Sequence, residues 1–174
     1  MDLLLQLLVN GIINGSHYAL LGIGFGLIFA TTRIVHFAYG PIFTFAAYVG
    51  WLLAGGLGLS VWVGLTGAVA TALVLGLLSY LLIYRPLELR NAPVLVPLIA
   101  SLGLYIVLEN LVGVIFGTGV RVVEHLDTQI FFVGPVFFTS LHVWQVISFL
   151  VLGGALSLYL RRTRIGKAIL AMTD

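Results

Sequence analysis

Apolar residues run through this chain in five long blocks, at about residues 3 to 30, 40 to 56, 60 to 83, 94 to 117 and 143 to 160. Blocks of this length suit α-helices that rise 1.5 Å per residue across a hydrocarbon core of about 30 Å. The breaks between them read as helix ends. Pro41 can open the second span at its first turn, where no backbone N–H is needed, Arg85-Pro86 closes the third, and Asn91-Ala92-Pro93 precedes the fourth. The pattern predicts an all-α, polytopic helical membrane protein of about five transmembrane helices forming one domain over residues 1–174. Met1-Asp2 passes directly into an apolar run with no basic n-region, which predicts an uncleaved helix rather than a signal peptide. Residues 118 to 142 read as an external loop, and no internal repeat or soluble domain is visible.

The first span is unusual in carrying Asn, His and Gly at membrane depth, where unpartnered polar groups are costly. A helical wheel sorts it into three sectors. Asn10, Asn14 and His17 share one face, and Gly11, Gly15, Tyr18, Gly22 and Gly26 form an adjacent small-residue stripe. Ile12, Ile13, Leu20, Ile23 and Leu27 fill a third sector suited to lipid, with Ser16 among them, its hydroxyl expected to bond back to the preceding turn. The polar face suits a solute pathway, with Asn10, Asn14, His17 and Tyr18 as candidates; Gly11, Gly15, Gly22 and Gly26 suit close helix packing. Packing alone would also explain both sets, because Asn side chains can bond across helices without lining a path.

In the fourth span Ser101, Tyr105 and Glu109 recur every four residues and so share a face. Glu109 falls about 22 Å along a helix that must cross about 30 Å, where a carboxyl must be protonated, paired or facing water. It reads either as part of a translocation route or as a side chain reaching the outer interface.

Basic residues set the orientation. Arg85 and Arg90 lie between the third and fourth spans, and Arg161, Arg162, Arg164 and Lys167 follow the fifth; two crossings separate the groups, so they share a side. Counting back places Arg33 there too and leaves Arg121 as the basic residue outside. The N-terminus is therefore predicted outside and the C-terminus inside. A re-entrant turn at Phe37 to Gly40 is the alternative, which would put Arg33 at membrane depth beside a cavity.

Composition agrees: 61% hydrophobic and 8% charged residues, with a mean hydropathy of +1.18, exclude an ordinary soluble domain. A net charge of +2 from so few charged residues gives no sign of nucleic-acid binding. With no Cys there are neither disulfides nor thiolate metal sites. Glu124, His125 and Asp127 superficially resemble metal ligands, but no second cluster completes a shell, so a solvated loop is the expectation and no metal site is predicted. His36 and His142 lie near predicted membrane edges without a specific signal. No HExxH or GxSxG motif is present, and Ser16 and His17 diverge on a helix, so an enzyme is not expected. Nor is there a GxxxxGK[ST] loop; any ATP-driven process must take its ATPase from another chain.

Three blocks together resemble a known family. Asn10-Gly11, Gly15, Tyr18-Ala19-Leu20, Gly24, Phe37-Ala38 and Gly40 are similar to the N-terminal pattern of the permease subunits of ABC importers for branched-chain and other hydrophobic amino acids. Tyr84-Arg85-Pro86-Leu87 and Leu98-Ile99-Ala100-Ser101-Leu102-Gly103 resemble the next signature, and Arg164-Ile165-Gly166-Lys167-Ala168 the start of the cytoplasmic coupling segment, here 161–174. Where the family commonly has Asn before Phe-Ala and His before Gly, this chain has His36 and Tyr39. The resemblance implies a permease subunit without a cofactor of its own, with ATP bound by a partner. The implied partners are a second permease subunit, identical or homologous, two cytoplasmic ATPases and an extracytoplasmic binding protein, in the cell inner membrane. It adds Phe37 and Gly40 to the pathway candidates and assigns Arg164, Gly166 and Lys167 to ATPase coupling. The family pattern continues beyond the coupling segment, so the chain is expected to be an N-terminal portion. Urea or short-chain amide permeases share these motifs and are the alternative within transport; a non-transporting membrane scaffold is the alternative outside it.

Overall fold

A computed structural model of the protein describes residues 2–122 and 128–171. Four of its helical stretches are long and apolar enough to cross a membrane: Asp2–Thr32, Val61–Leu89, Leu95–Phe116 and Ser140–Arg162. Their outer surfaces are covered with large apolar side chains, as at Val114, which is 83% exposed. Such surfaces fit lipid rather than water. The protein is a multi-pass, all-α membrane protein. The predicted second span is also helical, but in two pieces, an α-helix over Tyr39–Trp51 followed by a π turn over Leu52–Gly56. Glu124, His125 and Asp127 lie outside the described residues; among those described, no group of His, Cys, Asp and Glu could hold a metal ion.

The chain divides into two compact units, one of Met1–Arg33 with Asp127–Asp174, the other of Ile34–Leu126. The first contains α1 (Asp2–Thr32), a hairpin of β1 (Ile130–Val133) and β2 (Val136–Thr139), the long helix α6 (Ser140–Arg162) and the short helix α7 (Arg164–Ala171). Two side-chain amides join α1 to the later segment. Gln6 donates to the Phe137 carbonyl at 3.1 Å and accepts from the Phe137 N–H at 2.9 Å, so one amide replaces a neighbouring strand. Gln145 donates to the Ile13 carbonyl at 3.0 Å. Because 6 meets 137 and 13 meets 145, α1 and α6 run in the same direction.

The Ser16 hydroxyl bonds back to the Ile13 carbonyl at 2.7 Å, as its spacing predicts. The lipid assignment of this sector fails in part, however, since Ile13 and Ser16 are buried on the side of α1 that meets α6. Residues 130–139 are likewise not a plain loop. They pair antiparallel from Ile130↔Thr139 to Val133↔Val136, turning at Gly134, whose φ of 60° favours glycine. Thr139 then opens α6 with a capping box in which His142 is the reciprocal partner.

The second unit contains α2 (Tyr39–Trp51), α3 (Val61–Ser79), a π turn (Tyr80–Tyr84), α4 (Arg85–Leu89) and α5 (Leu95–Phe116). The α2 stretch folds back on α3 at very close range. A Cβ on Gly64 would lie 2.8 Å from both the Gly50 carbonyl oxygen and the Ala54 Cβ, so glycine at 64 sets the separation of the two helices. Ala38, Ile42 and Leu108 form a small core between α2 and α5, with Ala72 and Leu75 of α3 packed against it. Apart from chain neighbours and the backbone of α1 itself, a Cβ built on Gly11, Gly15, Gly22 or Gly26 meets nothing within 4 Å among the described residues. Close approaches to backbone, under 3 Å for an added Cβ, are made at Gly64 and at Gly166 among the described residues, and Gly67 meets the Leu53 side chain.

Candidate translocation site and coupling helix

The segment between α1 and α2 is built around one buried serine. Arg33 leaves α1 in the left-handed region, with φ 56°, and its N–H bonds the Phe29 carbonyl at 2.8 Å. Ser101 of α5 is fully buried, its hydroxyl 2.9 Å from the carbonyls of Val35 and Leu98 and accepting from the Phe37 N–H at 3.4 Å. This side chain joins α5 to the 35–37 segment rather than facing open space. Next to it, the π turn swings Tyr84 so that its hydroxyl meets Nδ1 of the buried His36 at 2.5 Å, with the rings edge to face. Burial holds His36 below the ordinary histidine range.

Polar candidates gather in two places, one in each unit. In the first unit Asn14, His17 and Tyr18 line a cavity of about 260 Å³ together with Gln145 of α6. Asn10 is not part of it; its side-chain oxygen accepts from Gln6 at 3.0 Å. In the second unit a cavity of about 610 Å³ lies between α2 and α5, with Gly40, Thr44 and Tyr48 on one wall and Tyr105, Glu109 and Asn110 on the other. Its volume falls within the roughly 300–1,000 Å³ usual for small-solute sites. Phe37 and Ser101 do not line it.

The segment after α5 is stitched back over α2. Arg121 donates to the Phe116 carbonyl at 2.9 Å, where the negative end of the α5 dipole favours a cation, and lies 5.0 Å above the Trp51 ring. Trp51 in turn donates its indole N–H to the Val122 carbonyl at 3.0 Å, and Phe116 stacks on Tyr48. These contacts form one side of the cavity's surroundings.

Sequence spacing found Tyr105 and Glu109 on one face but missed Thr44, Tyr48, Asn110 and Gln145. Thr44 and Tyr48 follow Gly40 at helical spacing, and that repeat was a usable signal. Gln145 stands in an apolar span, and an uncharged amide there is a weaker cue.

At the other end of α6 the chain turns sharply into α7. The Thr163 hydroxyl donates to the Tyr159 carbonyl at 2.8 Å and accepts from the Gly166 N–H at 2.9 Å, while the Thr163 carbonyl accepts from the Lys167 N–H at 3.0 Å. One residue thus ends α6 and caps α7. Gly166 is buried, and a Cβ on it would come within 2.5 Å of the Tyr159 oxygen and the Leu160 Cα. Those neighbours are backbone and cannot rotate aside, so only glycine allows this approach. Arg164 and Lys167 are exposed on α7.

Membrane-length apolar helices with polar side chains lining two cavities, and a basic, capped helix after α6, define an integral membrane protein. The comparisons give the particular family: residues 7–174 match the model described as branched-chain amino acid transport system / permease component, and the chain belongs to that family. It is 28% identical over 188 residues to the high-affinity branched-chain amino acid transport system permease protein LivH of Escherichia coli (strain K12), covering 98% of this chain and 59% of that protein. BraD of Pseudomonas aeruginosa, also a high-affinity branched-chain amino acid transport system permease protein, is 29% identical over 184 residues, covering 98% of this chain and 59% of the relative. A probable branched-chain amino acid transport permease protein LivH of Methanocaldococcus jannaschii is 28% identical over 178 residues, covering 97% and 55%. The chain thus spans less than two thirds of the length of these curated relatives. No solved structure gives a significant match.

Proposed function

We propose that this chain forms the membrane path of an ABC importer for branched-chain or related amino acids in the inner membrane. A second permease subunit completes the path, an extracytoplasmic binding protein delivers the solute, and separate ATPases bind ATP and drive the cycle. The family match over residues 7–174 carries this reading. The α6–α7 elbow supports it, because a short helix fixed rigidly to a membrane helix can pass the closure of an ATPase dimer into the bundle. Arg164 and Lys167 would contact the ATPase and Gly166 would hold the helix in place. Asn14, His17 and Tyr18 in one unit, with Gly40, Tyr105 and Glu109 in the other, are the proposed solute-facing residues.

The parallel course of α1 and α6 favours five crossings. A chain that leaves the membrane at the end of α1 and re-enters at the start of α6 in the same direction must cross an odd number of times between. The stretches Val61–Leu89 and Leu95–Phe116 supply two, so Tyr39–Gly56 is the natural third. With the basic residues on the inner side, the N-terminus lies outside and α7 in the cytoplasm.

The test is reconstitution of the full-length permease with its ATPase and binding protein in proteoliposomes. Leucine uptake coupled to solute-stimulated ATP hydrolysis is expected. An assembled complex that hydrolyses ATP without moving any branched-chain amino acid would overturn the reading.

A further inference from the structure

The cavity between α2 and α5 has a hydrogen-bonding polarity that its volume alone does not reveal. Thr44 donates its hydroxyl proton to the Gly40 carbonyl at 3.1 Å, and Tyr48 directs its own to the Gly119 carbonyl at 3.4 Å. Asn110 commits an amide hydrogen to the Ile106 carbonyl at 2.7 Å. Tyr105 stands one turn before Glu109 on the same wall of the cavity. Three polar side chains on the walls therefore have a donor already engaged within the chain. Their oxygens can still accept beside Glu109, whose carboxyl can accept several bonds at once. No Lys, Arg or His is among the described lining residues, and Arg121 is bonded to Phe116 and stacked on Trp51 instead. Pro41 and Val112 supply apolar wall next to these acceptors.

A cavity that sets acceptor oxygens beside a carboxyl and has no cationic side chain among its described lining is matched by a ligand that brings donors and positive charge. We infer that this cavity is the subsite for the ammonium end of an amphipathic amine, with Glu109 as the charged partner, Thr44 and Asn110 as further acceptors, and the solute's aliphatic part against Pro41 and Val112. An ammonium has three donors and no acceptor, which is the complement of this lining. A carboxylate would meet the like charge of Glu109 and lone pairs on both walls. The inference rests on the proposed amino-acid importer and assigns one end of its solute to one half of the chain.

The experiment measures equilibrium binding to the full-length permease, assembled with its ATPase in nanodiscs and without binding protein, against empty nanodiscs as the partition control. Two probes share a branched tail and differ in the head: 3-methylbutylamine and 4-methylpentanoate. Saturable binding of the amine and none of the carboxylate is expected. Glu109→Gln should weaken the amine by about tenfold or more, as expected for loss of a charged hydrogen-bond partner, and Glu109→Asp should retain the preference for amine over carboxylate. Thr44→Val, which removes an acceptor without altering charge, should weaken the amine by about threefold and serves if Glu109→Gln fails to assemble. Equal binding of the two probes, or amine binding unchanged in either Glu109→Gln or Thr44→Val, would overturn the inference. Leucine uptake by the unaltered complex separates the two levels: uptake with head-indifferent binding rejects the subsite alone, whereas amine-selective binding without uptake rejects the importer and leaves the subsite standing.

Discussion

A fully buried hydroxyl among three backbone groups has little freedom, and Ser101 illustrates what such a residue contributes. Removing its oxygen takes this partner from the Phe37 N–H and the Val35 carbonyl, which keep their 3.2 Å bond to each other, and leaves a void at a fully buried position. Ser101→Ala should therefore lower stability by about 1–3 kcal/mol, read as a lower thermal unfolding midpoint of the purified protein. An unchanged midpoint would mean that the 35–37 segment is held by other contacts. His36 beside it gives a pH-dependent counterpart. Its burial disfavours the charged ring, so its folded value lies below the ordinary 6.5. Above that value both states are neutral and the residue makes no pH-dependent difference. As pH falls through about 6.5 the unfolded chain takes up a proton first, and stability is lost until the folded value is reached. Unfolding midpoints at about pH 7.5 and about pH 5.5 should diverge, and His36→Gln should reduce the divergence. An identical pH response in the variant would assign the effect to other groups.

At the scale of elements, the elbow between α6 and α7 makes the sharpest demand on sequence. A methyl on residue 166 has no space unless α7 moves, since the obstruction is the backbone of residues 159 and 160. Gly166→Ala should leave the ATPase active while reducing uptake per ATP by about tenfold, within the usual span of coupling energies. Thr163→Val, which loses the shared cap, should act in the same direction at a cost of about 1 kcal/mol, and Thr163→Ser should restore function. Normal uptake with Gly166→Ala would show that the angle of α7 is immaterial. The long helices were legible because length and apolarity are local properties of the sequence. The hairpin at 130–139 was not, since Phe131, Phe132, Phe137 and Phe138 give an apolar run on both sides of Gly134-Pro135 with no alternation to mark a strand. Helix environments were also hard to read. Ile13 looks the same whether it meets lipid or α6, and a glycine in an apolar span does not name its partner, which is why Gly64 was not singled out as a contact point. In the cavity, the Tyr105–Glu109 spacing was visible from α5 alone, but Thr44 and Tyr48 required knowledge that α2 packs opposite.

For the molecule as a whole the central question is how many times the chain crosses the bilayer. Length and apolarity count four helices, because the α-helical part of the Tyr39–Gly56 stretch has 13 residues before the π turn. The direction of α6 relative to α1 argues for five, since only an odd number of crossings between them lets both run the same way. The two counts make opposite predictions for the connections on either side of α3. With five crossings, residue 57 lies on the same side as residue 2 and residue 89 on the other; with four, the sides of 57 and 89 exchange. The protein has no Cys, so single cysteines report without a background. Asp2→Cys, Leu57→Cys and Leu89→Cys, each in the full-length permease, can be exposed to a membrane-impermeant maleimide in intact cells. Labelling at 2 and 57, with 89 reacting only after permeabilisation, is the expected result and also fixes the inner side as the one bearing Arg85 and Arg90. Labelling at 2 and 89 but not 57 would make the α2 stretch a re-entrant segment, and would require α6 to run against α1, contrary to the pairings of Gln6 with Phe137 and of Gln145 with Ile13.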